Sequence, residues 1–157
     1  MTKRTDITET WGLFDRGHLP YRLLLLAKMI DRATARQVRD GAGLTLAEWR
    51  VLAHAVVLGD ANASRIAAAA AVDRAEVSRA LLSLEKAGLV TREADPNHGK
   101  RQQVNVSPEG LALHDRFRRE RITFFDTITA DLDDEELGAL DGYLLRIARQ
   151  TQAFDDE

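Results

Sequence analysis

The stretch VDRAEVSRALLSLEKAGLV, residues 72–90, has the residue spacing of a helix with two different faces. Asp73 precedes the first turn, Glu76 follows at the spacing of an N-terminal capping box, and Gly88 stands where a helix would end. At 100° per residue one face is wholly apolar, so we expect it to pack on a core. Its members are Val77, Ala80, Leu81 and Leu84.

The opposite face of this predicted helix carries small and basic residues. Arginine can donate two hydrogen bonds to guanine, serine can reach bases or phosphates, and a helix N-terminus favours phosphate oxygens. The face therefore suits a DNA major groove. The alternative is a solvated surface on which the basic side chains form ion pairs with Glu76 and Glu85. Leu82 is the one apolar residue of substantial size on this face, and it needs an apolar contact, either a thymine methyl group or a neighbouring side chain.

Capping residues and glycines divide the rest of the chain into further elements. A helix is predicted from Pro20 to Gly41, one from Thr45 with a capping box at Glu48 to Gly59, and a short one over ASRIAAAA capped by Asn62. After Gly88, LVTREAD and RQQVNVS read as strands joined by the turn PNHGK. Two more helices are predicted to begin at Ser107–Pro108 and at Asp133 with Glu136.

Two short helices with a tight turn and then a hairpin give the order of a winged helix-turn-helix. We expect a mainly α fold with a small β-hairpin wing, flanked by dimerisation helices. The 157 residues suit one domain, 1–157, whose DNA-binding part is 45–106.

Composition excludes several classes of protein and site. The 45% hydrophobic and 30% charged residues are typical of a globular chain. The net charge of −3 arises in residues 131–157, with nine acids and two bases, so the remainder is mildly basic and compatible with nucleic acid. Without cysteine, and with scattered histidines, we expect no metal site and no cofactor. No apolar run could span a membrane and the start is not a secretory signal, so we expect a cytoplasmic protein.

Several segments carry a family resemblance. LTLAEWRVLAHA, VSRALLSLEKAGLV, the following Asp-Pro turn and the V-S-P-E-G start of the next helix resemble the MarR family of bacterial transcription regulators, over roughly residues 20–150. The resemblance implies a dimer formed by the helices of 11–40 and 107–154, with the helix of 73–88 and the wing on DNA. The family's wing usually has an Asp and an Arg two residues apart, whereas His98 and Lys100 align here and Arg101 follows.

We therefore predict contacts with double-stranded DNA, as an inverted repeat, from both helices of the helix-turn-helix and from the wing. The candidate residues are Ser64, Arg65, Arg74, Ala75, Ser78, Arg79, Lys86, His98, Lys100 and Arg101.

The last two helices carry stripes that need a partner. A charged residue within an apolar stripe often marks a contact with complementary groups, which a homodimer would supply. The stripe of the fifth helix comprises His114, Phe117, Arg121, Phe125 and Ile128. The stripe of the sixth helix comprises Leu137, Leu140, Leu144, Ile147 and Ala148.

The family resemblance also implies a small aromatic or carboxylate effector bound between the DNA-binding and dimer parts. Arginine can pair with a carboxylate and aromatic rings can stack. The candidate residues are His18, Tyr21, Arg22, Trp49 and His54, for each of which plain packing or surface exposure is the alternative.

The leading hypothesis is a homodimeric, sequence-specific DNA-binding regulator, a repressor released by a small molecule. The alternative is a winged-helix module that binds protein without specific DNA binding, which would leave Arg79 and the basic HGKR wing without a target. An enzyme is not expected, because no nucleophile elbow, phosphate loop, metal spacing or paired acid and base is present.

Overall fold

A computed structural model describes residues 7, 11, 18–59, 61–70, 72–94 and 102–155. Helices dominate, and a short antiparallel sheet interrupts them, which confirms the predicted fold class. In chain order the elements are α1 (Leu19–Ala42), α2 (Leu46–Leu58), β1 (Ala61–Asn62), α3 (Ala63–Ala70), α4 (Arg74–Lys86), β2 (Val90–Ala94), β3 (Gln102–Val106), α5 (Pro108–Ile128) and α6 (Asp134–Asp155). No helix among the described residues is long and apolar enough to cross a membrane.

Local capping contacts set most of the helix boundaries. At α2 the Thr45 hydroxyl accepts from the Glu48 N–H, and the Glu48 carboxylate accepts from the Thr45 N–H at 2.7 Å. Asp133 and Glu136 form the same reciprocal pair at the start of α6. At α4 the structure shows the Asp73 half of the predicted box, with Asp73 Oδ1 accepting from Ala75 N at 2.8 Å.

The end of α1 differs from the prediction by two residues. The helix continues through Gly41 to Ala42, and Gly43 ends it with φ 68°. A left-handed residue is what closes a helix, and Gly43 rather than Gly41 adopts that conformation. Gly59, φ 63°, ends α2 as predicted.

Residues 1–117 form the first of two compact units. Its core is built from the inner faces of the helix-turn-helix and the sheet, and these side chains exclude water from one another. The buried apolar residues are Val38, Leu44, Trp49, Val51, Leu52, Ala55, Ala61, Ile66, Ala67, Val77, Ala80, Leu81, Leu84, Val90, Val104 and Phe117. All four residues of the predicted inner face of α4 are among them, so that face is confirmed.

The predicted hairpin is part of a three-stranded sheet in the order β1-β3-β2. Strands β2 and β3 pair antiparallel from Val90 opposite Val106 to Ala94 opposite Gln102. The two-residue strand β1, which the sequence pattern does not indicate, pairs with the other edge of β3. The start of the helix-turn-helix is thereby hydrogen-bonded to the wing.

The V-S-P-E-G segment anchors α5 to the turn that follows α4. The Ser107 hydroxyl donates to the Gly88 carbonyl at 2.7 Å and accepts from the Gly110 N–H at 3.0 Å. Ser107 N–H also donates to the Leu89 carbonyl. The Cα of Gly110 packs so closely that a Cβ there would overlap the Leu89 carbonyl oxygen.

Residues 118–157 form the second unit, which comprises the rest of α5 and all of α6. Its apolar side chains are largely exposed in the single chain, including Ile122, Phe125, Ile128, Leu140, Tyr143, Leu144 and Ile147. Arg121, the charged member of the α5 stripe, lies with its guanidinium 4.6 Å from the ring centre of Phe125 and 5.2 Å from that of Phe124. A cation over aromatic faces is a favourable contact within the helix itself.

The predicted α5 stripe is therefore divided. His114 and Phe117 are buried in the first unit, where Trp49 stacks on the His114 ring at 5.6 Å and meets Phe117 edge-on at 4.8 Å. These two residues complete a core, while Phe125 and Ile128 remain exposed. A helical period groups all of them because it does not register that the packing environment changes along α5.

Candidate nucleic-acid interface

The N-terminus of α3 presents its first residues to solvent. Asn62 Oδ1 accepts hydrogen bonds from Ser64 N at 3.1 Å and from Arg65 N at 3.0 Å, as expected of a capping residue. Ile66 and Ala67 are buried beneath, while the side chains of Ser64 and Arg65 are exposed. The cap thus fixes the backbone from which both candidate side chains project.

Helix α4 holds five candidate residues on the side away from its core. Because Val77, Ala80, Leu81 and Leu84 are buried, the opposite side of the helix faces solvent. The exposed residues there include all five α4 candidates, Arg74, Ala75, Ser78, Arg79 and Lys86. Leu82 is exposed with them. The outer face of α4, meaning these five residues with Leu82, is thus one continuous surface.

An ion pair neutralises Glu85, an acid beside the outer face of α4. Its Oε2 accepts from Arg92 Nη2 at 2.5 Å and from Arg92 Nε at 3.1 Å. The hydrogen bond from Arg92 is the main reason that the pKa of Glu85 lies below its ordinary value, and the charge of Arg92 adds to it. Because Arg92 lies on β2, the pair also connects α4 to the wing.

Glu48 makes a second connection to α4. Burial of its carboxylate acts to raise its pKa, but hydrogen bonds from the Ser83 hydroxyl and from the backbone and side chain of Thr45 outweigh burial and lower it. The Glu48 carboxylate therefore stabilises the start of α2 and holds α4 at Ser83. Ser83, which the helical period places beside the outer face, is exposed, and its hydroxyl is hydrogen-bonded to Glu48.

The wing candidates His98, Lys100 and Arg101 lie outside the described residues. What the structure describes is the root of the wing, where the β2–β3 pairing runs as far as Ala94 opposite Gln102. The predicted wing contacts therefore stay predictions.

The effector candidates occupy different environments. His18 and Tyr21 are exposed at the start of α1, and the guanidinium of Arg22 lies 5.7 Å from the ring centre of Trp11. Trp49 is 8% exposed and packed between His114 and Phe117. His54 Nδ1 donates to the Arg50 carbonyl at 2.7 Å, one turn back on its own helix. The last two rings are thus engaged within the first unit.

Sequence reasoning missed two residues that contact α4 from neighbouring elements. Arg92 pairs with Glu85, and Glu48 is hydrogen-bonded to Ser83. Arg92 has a detectable signal, because strand alternation places it on the same side of β2 as buried Val90, where an arginine needs an acidic partner. Glu48 was recognised for its cap alone, since Ser83 is distant in sequence. No group of three or more His, Asp or Glu side chains in the part of the chain that the structure describes lies close enough together to hold a metal ion.

A helix with an exposed basic face, presented by a preceding short helix and braced by a β-hairpin, defines the chain as a winged helix-turn-helix protein. Comparison with known proteins agrees. A MarR family model matches residues 42–101, which run from the end of α1 into the wing. The HTH-type transcriptional regulator FarR of Neisseria gonorrhoeae is 27% identical over 120 residues, covering 76% of this chain and 82% of that protein.

Solved structures share the fold over most of the chain. The MepR–DNA complex of S. aureus superimposes with a TM-score of 0.74 at 17% identity, covering 83% of this chain and 96% of MepR. The transcriptional regulator PcaV of Streptomyces coelicolor, solved with its natural ligand, gives 0.71 at 20% identity, covering 88% and 97%. The chain is therefore similar to the MarR family in sequence over residues 42–101 and shares its fold with these two structures over most of its length, as the sequence motifs indicate.

Proposed function

We propose that the protein is a homodimeric, sequence-specific DNA-binding transcription regulator of the cytoplasm. The observation that carries the proposal is the outer face of α4, where Arg74, Arg79 and Lys86 are exposed while the apolar face is buried. The pairing of Glu85 with Arg92 removes an acid that would repel phosphates. DNA in the MepR complex supports this partner for a chain of the same fold.

The contacts are proposed to divide between bases and backbone. Arg79, near the centre of the outer face, is suited to pair with guanine, and the exposed Ser78 and Ala75 allow the helix to approach the groove. Phosphates are assigned to the N-terminal ends of α3 and α4, to Lys86 at the C-terminal end of α4, and to the wing. These phosphate contacts comprise Ser64, Arg65, Arg74, Lys86, His98, Lys100 and Arg101.

Dimerisation is proposed through 11–40 and 107–154, with 45–106 as the DNA-binding part. The apolar side chains of α6, among them Leu140 at 43% and Leu144 at 42% exposure, remain exposed in the single chain. Exposed apolar surface on this scale is typical of an interface between chains. A two-fold dimer would present two α4 helices to an inverted repeat.

Repression released by a small aromatic or carboxylate effector is the proposed form of regulation, with PcaV and its natural ligand as support from the same fold. Three of the candidate effector-binding residues lie at the start of α1, namely His18, Tyr21 and Arg22. A site that includes Trp49 or His54 would require the present contacts of those rings to change, so these two are the weaker candidates.

Selection of bound duplexes from a random-sequence library tests the function. We expect enrichment of an inverted repeat that the protein binds at least a hundredfold more tightly than a scrambled duplex at the same salt concentration, since specific sites typically exceed non-specific ones by 10³ or more. A protein that enriches no sequence would instead be a winged-helix module for protein partners.

A further inference from the structure

Leu82 is an apolar side chain in the middle of the proposed DNA-binding surface. It is 54% exposed, although every other leucine of α4 is buried. Arg79 lies one turn before it and Lys86 one turn after it, and both are exposed. More than half of Leu82 is open to solvent in the described part of the chain, which favours a thymine methyl group over a neighbouring side chain as its contact.

A single exposed leucine is ordinary on a protein surface. Leu82 suggests a function because it lies on the proposed DNA-binding face. Helix propensity does not require leucine here, because arginine, lysine, glutamine and glutamate form helices about equally well. Other exposed apolar residues, such as Leu140 and Leu144, occur together in a stripe on a helix proposed to pair with a second chain. Leu82 lies instead among basic and small residues.

The major groove offers one apolar group for such a side chain. Of the four bases, only thymine displays a methyl group on its major-groove edge, and apolar side chains recognise it by contact. Leu82 lies three residues after Arg79, a rise of about 4.5 Å along the helix, which is close to the ~3.4 Å between successive bases of one strand. An arginine on guanine would thus bring Leu82 level with a neighbouring base pair.

We propose that Leu82 reads a thymine methyl group within one or two base pairs of the guanine contacted by Arg79. This rests on the proposed DNA-binding function and adds a specific element of the operator to it. The connections of α4 to Glu48 through Ser83 and to Arg92 through Glu85 join the helix to two neighbouring elements, so the backbone that carries Leu82 is held in place.

The experiment uses the duplex that the wild-type protein selects from a random library. Each thymine of the half-site, with its symmetry mate, is replaced by deoxyuridine, which removes the methyl group and keeps the base pairing. At one position we expect the affinity to fall about fourfold for each methyl group removed, the factor that corresponds to a buried methyl group. Leu82→Ala should bind the thymine and deoxyuridine duplexes equally at that position.

Leu111→Ala is the matched control, because Leu111 is 44% exposed on α5 and lies outside the outer face of α4. It should keep the wild-type response to deoxyuridine. Leu82→Gln covers the case in which Leu82→Ala binds too weakly to titrate, since repeating the selection with it should lose the thymine preference at that position.

The outcomes separate the two proposals. Equal deoxyuridine responses in wild type and Leu82→Ala, or no response at any thymine, would overturn the role of Leu82 while leaving DNA binding intact. Failure of the wild-type protein to enrich any duplex would overturn the proposed function itself. Thermal unfolding of Leu82→Ala should match wild type, because an exposed side chain contributes little to the core.

Discussion

At the scale of single residues, Arg79 and its neighbours on α4 owe their exposure to the four apolar residues behind them. Because Val77, Ala80, Leu81 and Leu84 are buried, the helix cannot rotate without exposing leucine and valine, so Arg79 is held pointing outward. The proposed role of Arg79 in recognition therefore rests on packing as well as charge.

Replacement of Arg79 should separate base reading from general attraction to DNA. Arg79→Ala is expected to weaken the selected site by about 1–3 kcal/mol per half-site while changing binding to scrambled DNA much less. Arg101→Ala should weaken both duplexes to a similar extent, since a phosphate or minor-groove contact carries little sequence information. Titration of both variants against both duplexes at one salt concentration measures the difference. Equal losses for Arg79→Ala would mean that this residue does not read a base.

Gly110 shows how one residue fixes the junction between α4 and α5. A Cβ at this position would overlap the Leu89 carbonyl oxygen and press on Val106. Gly110→Ala should therefore lower the free energy of unfolding by about 1–3 kcal/mol, the usual cost of overpacking.

The matched control is Gly142→Ala on the exposed part of α6, where a Cβ meets nothing within 4 Å. Alanine there should be neutral or stabilise the helix by up to about 1 kcal/mol, because it is the better helix former. Denaturant unfolding compares the two variants. If both replacements change the free energy of unfolding by the same amount, the close approach at Gly110 does not contribute to stability.

At the scale of elements, the capping box of α2 makes stability depend on pH through Glu48. Its pKa in the folded protein lies below the ordinary value of 4.5, so the unfolded chain takes up a proton more readily. The stabilisation is therefore present above pH 4.5 and is lost as the pH falls through the lowered value. Glu85 contributes with the same sign, through its bond with Arg92.

Glu48→Gln isolates this contribution, because glutamine can still serve in a capping box but does not titrate. The difference in free energy of unfolding between wild type and Glu48→Gln should favour wild type at pH 7 and shrink as the pH drops below 4.5. Chemical denaturation of both proteins between pH 3 and pH 7 measures it. A difference that grows on acidification would contradict the assignment.

The sequence is sufficient for those elements whose signals are local. Thr45, Asn62, Asp73 and Asp133 each cap a helix through atoms two or three residues away, so their helices are predicted nearly to the residue. Strand β1 has two residues and depends on β3, about forty residues later, so it gives no periodic signal. Its absence from the prediction follows from that dependence.

The candidate site divides in the same way. The helical period correctly predicts that the α4 candidates are exposed, because the side of a helix on which a residue lies depends on that helix alone. The partners of Ser83 and Glu85 come from other elements, and Trp49 packs on α5, more than sixty residues away. Spacing within one segment does not register such contacts, so the sequence gives no sign that Trp49 packs in the core of the first unit.

At the scale of the whole molecule, the exposed apolar face of α6 is the basis for the proposed dimer. Within residues 118–157 the side chains of Leu140, Leu144 and Ile147 remain between 38% and 43% exposed. Covering them by association removes apolar surface from water, which is the main driving force for protein assembly. We therefore expect a dimer at micromolar concentration.

Leu144→Glu tests the dimer and its coupling to DNA binding together. A carboxylate in the centre of the α6 stripe would lose its hydration on association, so the variant should be monomeric by light scattering at concentrations where wild type is dimeric. Arg146→Glu, on the opposite side of the same helix, introduces the same side chain and should remain a dimer.

The consequence for DNA follows from linkage between the two half-sites. Two α4 helices joined in one dimer bind an inverted repeat with the advantage of high effective concentration, which a monomer loses. Leu144→Glu should therefore bind the full repeat no better than a single half-site, whereas Arg146→Glu keeps the preference for the repeat. Retention of that preference by a monomeric Leu144→Glu protein would show that the two half-sites are not joined through α6.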